Sequence, residues 1–154
     1  ARLRNMGMTM GVRDSRKIVG EYDLTGADVT GEARFEDSIG IFPEFLDGYN
    51  ILILPTTGRY FQVPYGCTVP VDIDNLLVAG RCHSATSAAL SSSRVTATAM
   101  GMGQAAGIAA ALAITGNQSP RDVEVTAIQD AIIVADGILE PPNADDADVG
   151  NPDW

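Results

Sequence analysis

The residues of this chain that could do chemistry gather in two short stretches. The first is Gly80-Arg81-Cys82-His83, which holds the only histidine beside one of the two cysteines. A neutral imidazole can take or give a proton near pH 7, so His83 is a candidate catalytic acid–base residue. A lone histidine also serves as a structural hydrogen-bonding group. The second stretch is Ser93-Arg94-Val95-Thr96, at the head of a long run of helix formers. A helix starting here presents free N–H groups and the positive end of its dipole, a site for an anion or a polarised carbonyl that Arg94 would strengthen. The plainer alternative is that Ser93 caps the helix and Arg94 lies in solvent.

Other patterns weigh less. Gly101-Met102-Gly103-Gln104-Ala105-Ala106 has the form G-x-G-x-x-A, yet that fingerprint works only in a tight turn between a strand and a helix. Here it lies inside the helical run, and it reads instead as close helix packing through Gly103 and Gly107. Cys67, Cys82 and His83 supply too few ligands for a structural zinc, so no metal site is expected. The two thiols read as reduced and buried in a cytosolic protein. No G-x-S-x-G elbow accompanies His83, which disfavours a serine hydrolase.

The elements that must position these residues follow from composition and period. The chain has 154 residues, 45% of them hydrophobic and 19% charged, the profile of one folded domain. A net charge of −10 disfavours nucleic acid and anionic membrane as partners. Between Asp74 and Asp122 there is no acid, only Arg81, Arg94 and Arg121. Val95 to Thr115 is uncharged for 21 residues, but its Ala, Gly, Thr and Gln104 fall short of the Leu/Ile/Phe density of a membrane span. It is expected to be a helix buried in a soluble core. Ala1, followed by Arg2 and Arg4, reads as the start of a chain cut from a longer protein.

Alternation predicts strands over residues 6–12 and 60–63, while 15–22 reads as an extended or bent stretch, 33–41 as strand-like, and 51–54 as a short apolar run closed by Pro55 and Gly58. Thr25 to Thr30 fits one helical turn. Asn75 to Gly80 reads as a buried parallel strand, and residues 84–93 as a loop. A helix follows from Val95 to Ile114, stopped by Gly116. Ser119, Pro120 and Asp122 would open a second helix, with Val123, Ala127, Ile128, Ala131, Ile132 and Ala135 on its apolar face. From Glu140 the chain becomes an acidic tail, expected to be mobile.

Four segments resemble the FAD-dependent oxidoreductase family, flavoproteins of the glutathione-reductase-like and fumarate-reductase-like group. They are Val71-Asp-Ile-Asp-Asn-Leu-Leu-Val-Ala-Gly-Arg-Cys-His-Ser-Ala-Thr and Ser92-Ser-Arg-Val-Thr-Ala-Thr-Ala-Met-Gly-Met-Gly-Gln-Ala-Ala-Gly, with Gly11-Val-Arg-Asp-Ser-Arg-Lys-Ile-Val-Gly and Phe61-Gln-Val-Pro-Tyr-Gly-Cys-Thr-Val-Pro. Together they span about residues 11–139.

The resemblance implies an α/β protein, the C-terminal portion of a Rossmann-like FAD-binding fold, in which a returning parallel strand and a long helix join part of a β-rich substrate domain. Residues 1–63 would belong to the substrate side, 64–139 to the FAD-binding domain, and 140–154 to the tail. Gly80 and Arg81 would lie along the ribityl–pyrophosphate side of FAD. Ser93, Arg94, Val95 and Thr96 would meet the flavin N1–C2=O edge, where charge collects as hydride reaches N5. The partners implied are the N-terminal FAD-binding part and a small organic substrate. His83 and Thr96-Ala97-Thr98 depart from the family pattern beside the expected flavin. A different class remains open at this point: a non-catalytic subunit or interaction module docked on a separate flavoprotein chain.

Overall fold

The computed structural model describes residues 4, 5, 7–9, 11–48, 51–54 and 58–141. Of the alternating run 6–12, Met6 and Met10 lie outside the described residues, and the rest forms no strand. The first regular element begins at Thr25. Its hydroxyl accepts from the Asp28 N–H at 3.2 Å, while the Asp28 carboxylate accepts from the Thr25 N–H at 2.7 Å. This reciprocal cap starts α1 (Gly26–Thr30), as the sequence predicts.

β1 (Ser38–Pro43) comes next, followed by β2 (Leu46–Gly48) and β3 (Ile51–Ile53), which pair as an antiparallel hairpin. β4 (Tyr60–Pro64) returns antiparallel to β1, with an irregularity in register between Ser38 and Ile41. The strand expected over 33–41 is therefore shifted towards its C-terminal end. The architecture is mixed α/β, with two small antiparallel sheets among the described residues.

The parallel strand expected at Asn75–Gly80 does not form. Residues 71–76 are exposed and 77–80 half-buried, and Asn75 sits in the left-handed region at φ 56°. A parallel strand needs a neighbour offering a row of evenly spaced hydrogen bonds. The run donates one, from Val78 N–H to the Thr68 carbonyl at 2.9 Å. The middle of the molecule is instead knitted from irregular extended segments. Tyr22 N–H reaches the Gly66 carbonyl at 3.2 Å, Ser84 N–H the Cys67 carbonyl at 2.9 Å, and Thr86 N–H the Leu24 carbonyl at 2.8 Å. Leu24 and Ala85 form an isolated parallel bridge.

The segment 84–93, expected as a loop, contains α2 (Ser87–Ser93), whose N-cap Thr86 accepts from the Ala89 N–H. α3 (Thr96–Gly116) ends in Asn117, which takes the left-handed cap at φ 49° in place of Gly116. Ser119 does not start the last helix. Pro120–Asp122 closes as a single tight turn, buried Val123 is extended, and α4 (Val125–Val134) begins after it. Ile128 and Ile132 are the buried residues of α4; Ala135 of the expected face is exposed.

The core brings together Leu24, Val29, Phe61, Leu90, Met102 and Ile128, all inaccessible to solvent. α3 contributes Thr98, Met102, Ala105, Ala109 and Ala113, an i, i+4, i+7 stripe. Its opposite side is open among the described residues: Met100 is 69% exposed, Ile114 81%, and none of them lies within 4 Å of a Cβ built on Gly103 or Gly107. The expected packing through these two glycines is thus corrected. The close glycine contact is at Gly101, whose added Cβ would stand 3.1 Å from Phe42 Cζ. By length and composition α3 could cross a membrane, and a minority of its most apolar window is buried against this chain.

Residues 142–154 of the expected tail lie outside the described residues. Glu140 at its start is held, accepting from Tyr60 Oη at 2.8 Å and Gln62 Nε2 at 2.6 Å. Both cysteines are free. Cys67 is buried as expected, but Cys82 is exposed because it sits on the outer side of a tight turn.

Candidate functional site

The break between α2 and α3 places the second chemical stretch. α2 ends in three serines: Ser91 Oγ donates back to the Ala88 carbonyl at 2.7 Å, and Ser93 Oγ lies between the Ala89 carbonyl at 3.1 Å and His83 Nε2 at 2.9 Å. Such bonds compete with helix continuation. Arg94 remains helical, Val95 turns extended (φ −66°, ψ 155°), and α3 starts at Thr96. Ser93 is therefore the last residue of α2, fully buried, and not the cap of the long helix. Val95 holds the N-cap position and supplies no side-chain hydrogen bond. The first N–H groups of α3 have no partner within their own helix. Val95, Thr96 and Ala97 around them are exposed.

The first stretch stands beside this helix start. Gly80–Cys82 is a single tight turn that packs on α3, with Gly80 at φ 71°. A Cβ there would sit 3.8 Å from Ala99 Cβ, so space permits a side chain and backbone strain opposes it. The Arg81 guanidinium, exposed, donates to the Val12 carbonyl at 2.9 Å. Ile18 N–H bonds the Cys82 carbonyl at 3.0 Å and holds the turn from below.

Arg94 differs from expectation. No acid lies near it in sequence, which implied a need for an anionic ligand. Asp47 of β2 fills that need: Arg94 Nη2 donates to the Asp47 carbonyl at 3.0 Å and approaches its carboxylate at 3.5 Å. Arg13 engages the same carboxylate at 2.8 Å. The partner came from 47 positions away in the chain, beyond the reach of any local motif.

His83 is inaccessible to solvent. Its Nδ1 lies 2.6 Å from the Gly80 carbonyl and its Nε2 2.9 Å from Ser93 Oγ. Burial pushes its pKa below the ordinary value, against the smaller upward pull of the Gly80 carbonyl; Lys17 lowers it further and Asp23 raises it. The structure thus joins both stretches through one ring: Gly80 and Arg81 on one side, Ser93, Arg94, Val95 and Thr96 on the other.

Two features escaped the sequence reading. α2 was signalled by Thr86 followed by Ser-Ala-Ala-Leu, a cap before helix formers. Thr98, in the first turn of α3, is fully buried, and its hydroxyl has no hydrogen-bond partner among the described residues.

As a class, an uncapped and exposed helix start offers N–H donors that suit electron-rich oxygens, and here it stands beside a left-handed glycine turn. The family model for FAD dependent oxidoreductase matches residues 1–132, and the chain belongs to that family. FAD is the cofactor of the family, and its function is flavin-linked oxidation and reduction. Among curated proteins and among solved structures no match to the chain is found. The residues present suit FAD on their own geometry: free amides at the start of α3, a Gly80 backbone that disfavours a side chain, and the unpartnered Thr98 hydroxyl nearby.

Proposed function

We propose that this chain forms the flavin-facing wall of an FAD-dependent oxidoreductase that takes hydride from a small organic substrate. When bound, FAD supplies a two-electron acceptor at N5. The observation that carries the reading is the bare start of α3 beside the Gly80 turn.

Thr96, Ala97 and Thr98 would direct their N–H groups at the flavin N1–C2=O edge, with the helix dipole behind them. Oriented in advance, these dipoles stabilise negative charge without reorganising. Gly80 and Arg81 would line the ribityl–pyrophosphate side. Arg94 acts one step away: tied to Asp47, it fixes the corner between α2 and α3 and adds positive potential to the helix start. The open uncharged face of α3, with Gly103 and Gly107, suits a close-packed protein partner, and the nucleotide-binding part of the same enzyme is that partner. The missing strand partners of residues 75–80 support the same assignment.

The test is to purify the whole protein that carries this chain, release any bound flavin, and identify it. One FAD per chain, bleached under anaerobic conditions by a reducing substrate, supports the proposal. A colourless protein that cannot be reconstituted with FAD overturns it.

A further inference from the structure

We propose that His83 is a positioning residue: a single buried imidazole ties the Gly80 carbonyl to Ser93 and so sets the Gly80–Cys82 turn against the start of α3. The proposal rests on the flavin reading for what the turn holds, and on the geometry alone for the tie.

An acid–base residue needs a ring edge facing substrate. His83 has none, because the side chain is inaccessible and both ring nitrogens are engaged, at 2.6 Å and 2.9 Å. The Gly80 carbonyl can only accept, so Nδ1 carries the proton. In the neutral ring Nε2 then accepts, and the single Ser93 hydroxyl proton is given to it at 2.9 Å instead of to the Ala89 carbonyl 3.1 Å away. The Gly80 carbonyl also accepts from the His83 backbone N–H at 3.2 Å. Two donors from one residue thus hold the same oxygen inward. Every described peptide is trans, so the other end of that peptide, the Arg81 N–H, is directed away from the imidazole. That amide is the donor a cofactor oxygen would meet. At the far end of the ring, Ser93 is the residue before the corner at Arg94 and Val95. Rotating or losing the imidazole would therefore shift both halves of the wall. The charged groups facing the ring are Lys17 and Asp23, the latter held by Ser84 Oγ at 3.0 Å.

Two measurements test this. In the 154-residue chain, nitrogen NMR of His83 should show a neutral ring protonated at Nδ1 at neutral pH, with its titration moved below that of a free imidazole. A ring that titrates like a free one, or carries its proton on Nε2, overturns the tie. In the flavin-loaded protein, His83→Asn keeps a donor close to Nδ1, whereas His83→Leu removes both bonds. His83→Leu should weaken FAD binding roughly tenfold, as expected for losing the two ring hydrogen bonds that set the turn against α3. It should also move the flavin absorption band and midpoint potential, with His83→Asn restoring most of both. Equal loss in both variants, with a changed pH profile, would make His83 an acid–base residue and sink the proposal. Should His83→Leu fail to fold, the wild-type NMR and His83→Asn still decide. A wild-type protein without FAD overturns the function reading and the cofactor arm together, whereas a titrating ring overturns the tie alone.

Discussion

One face of α3 carries Thr98, Met102, Ala105, Ala109 and Ala113 and is sealed against the chain's own core; the other carries Met100, Gly103, Gly107 and Ile114 and is open among the described residues. Both faces are made of the same small and apolar residue types. Burial here is decided by what stands opposite, with no polar stripe to mark an outside. The contrast teaches that an uncharged helix can be half core and half interface, and that a buried-helix reading of its sequence is right about only one side.

The contrast is broken most directly by truncating one methionine on each face. Met102→Ala should destabilise the chain by about 2–5 kcal/mol, since it empties a fully buried site. Met100→Ala should stay within about 0.5 kcal/mol. Denaturant titration of both variants checks this, and equal losses would mean the two faces are alike.

Val95→Asp sharpens the comparison at the helix start. An acid at the bare N-cap should stabilise the chain by about 0.5–2 kcal/mol while lowering FAD affinity in the whole protein. Opposite signs in unfolding and flavin titration are the expected result. If both rise together, the helix start does not face the flavin.

The glycines separate the faces more finely. Gly103→Ala meets open space and should stabilise the helix by about 0.5–1 kcal/mol. Gly101→Ala would crowd Phe42 at 3.1 Å and should forgo that gain. Thermal melts of the pair should differ in sign or clearly in size.

The smallest effect is on pH. With its folded pKa lowered by burial, His83 takes up its proton at lower pH in the folded chain than in the unfolded one, whose imidazole is protonated below about 6.5, the value for a free imidazole. Stability should therefore fall as pH drops through the range just below that value and be unaffected by this group above it. His83→Asn should flatten the slope, read as unfolding midpoints between pH 5 and 7.5.

The helical turn over 25–30, the short strands 51–53 and 60–64 and the long helix were legible because each has a local cause: a Thr-to-Thr turn segment, an apolar run, alternation, and an Ala-rich run. Asn75–Gly80 misled because an apolar run ending in glycine states a wish for a sheet without supplying the neighbouring strand. α2 was hidden by serines that favour loops and caps as readily as a helix end. The start of the long helix at Val95–Thr96 was legible, whereas Gly80 was expected at a strand end and stands in a tight turn. The Arg94–Asp47 and His83–Ser93 pairings were not, since pairing across a fold leaves no mark in local spacing.

The unequal setting of the two thiols has a practical consequence. Cys67 lies in the core, and burial pushes its thiol well above the ordinary range, so alkylating reagents should pass it by in the folded chain. Cys82 is exposed on the Gly80 turn, between Arg81 and His83. The chain thus carries one natural footprinting handle at the edge of the proposed flavin wall. Its modification rate with a small maleimide counts how often that edge is uncovered, and protection on adding FAD would time the arrival of the cofactor without any label being engineered.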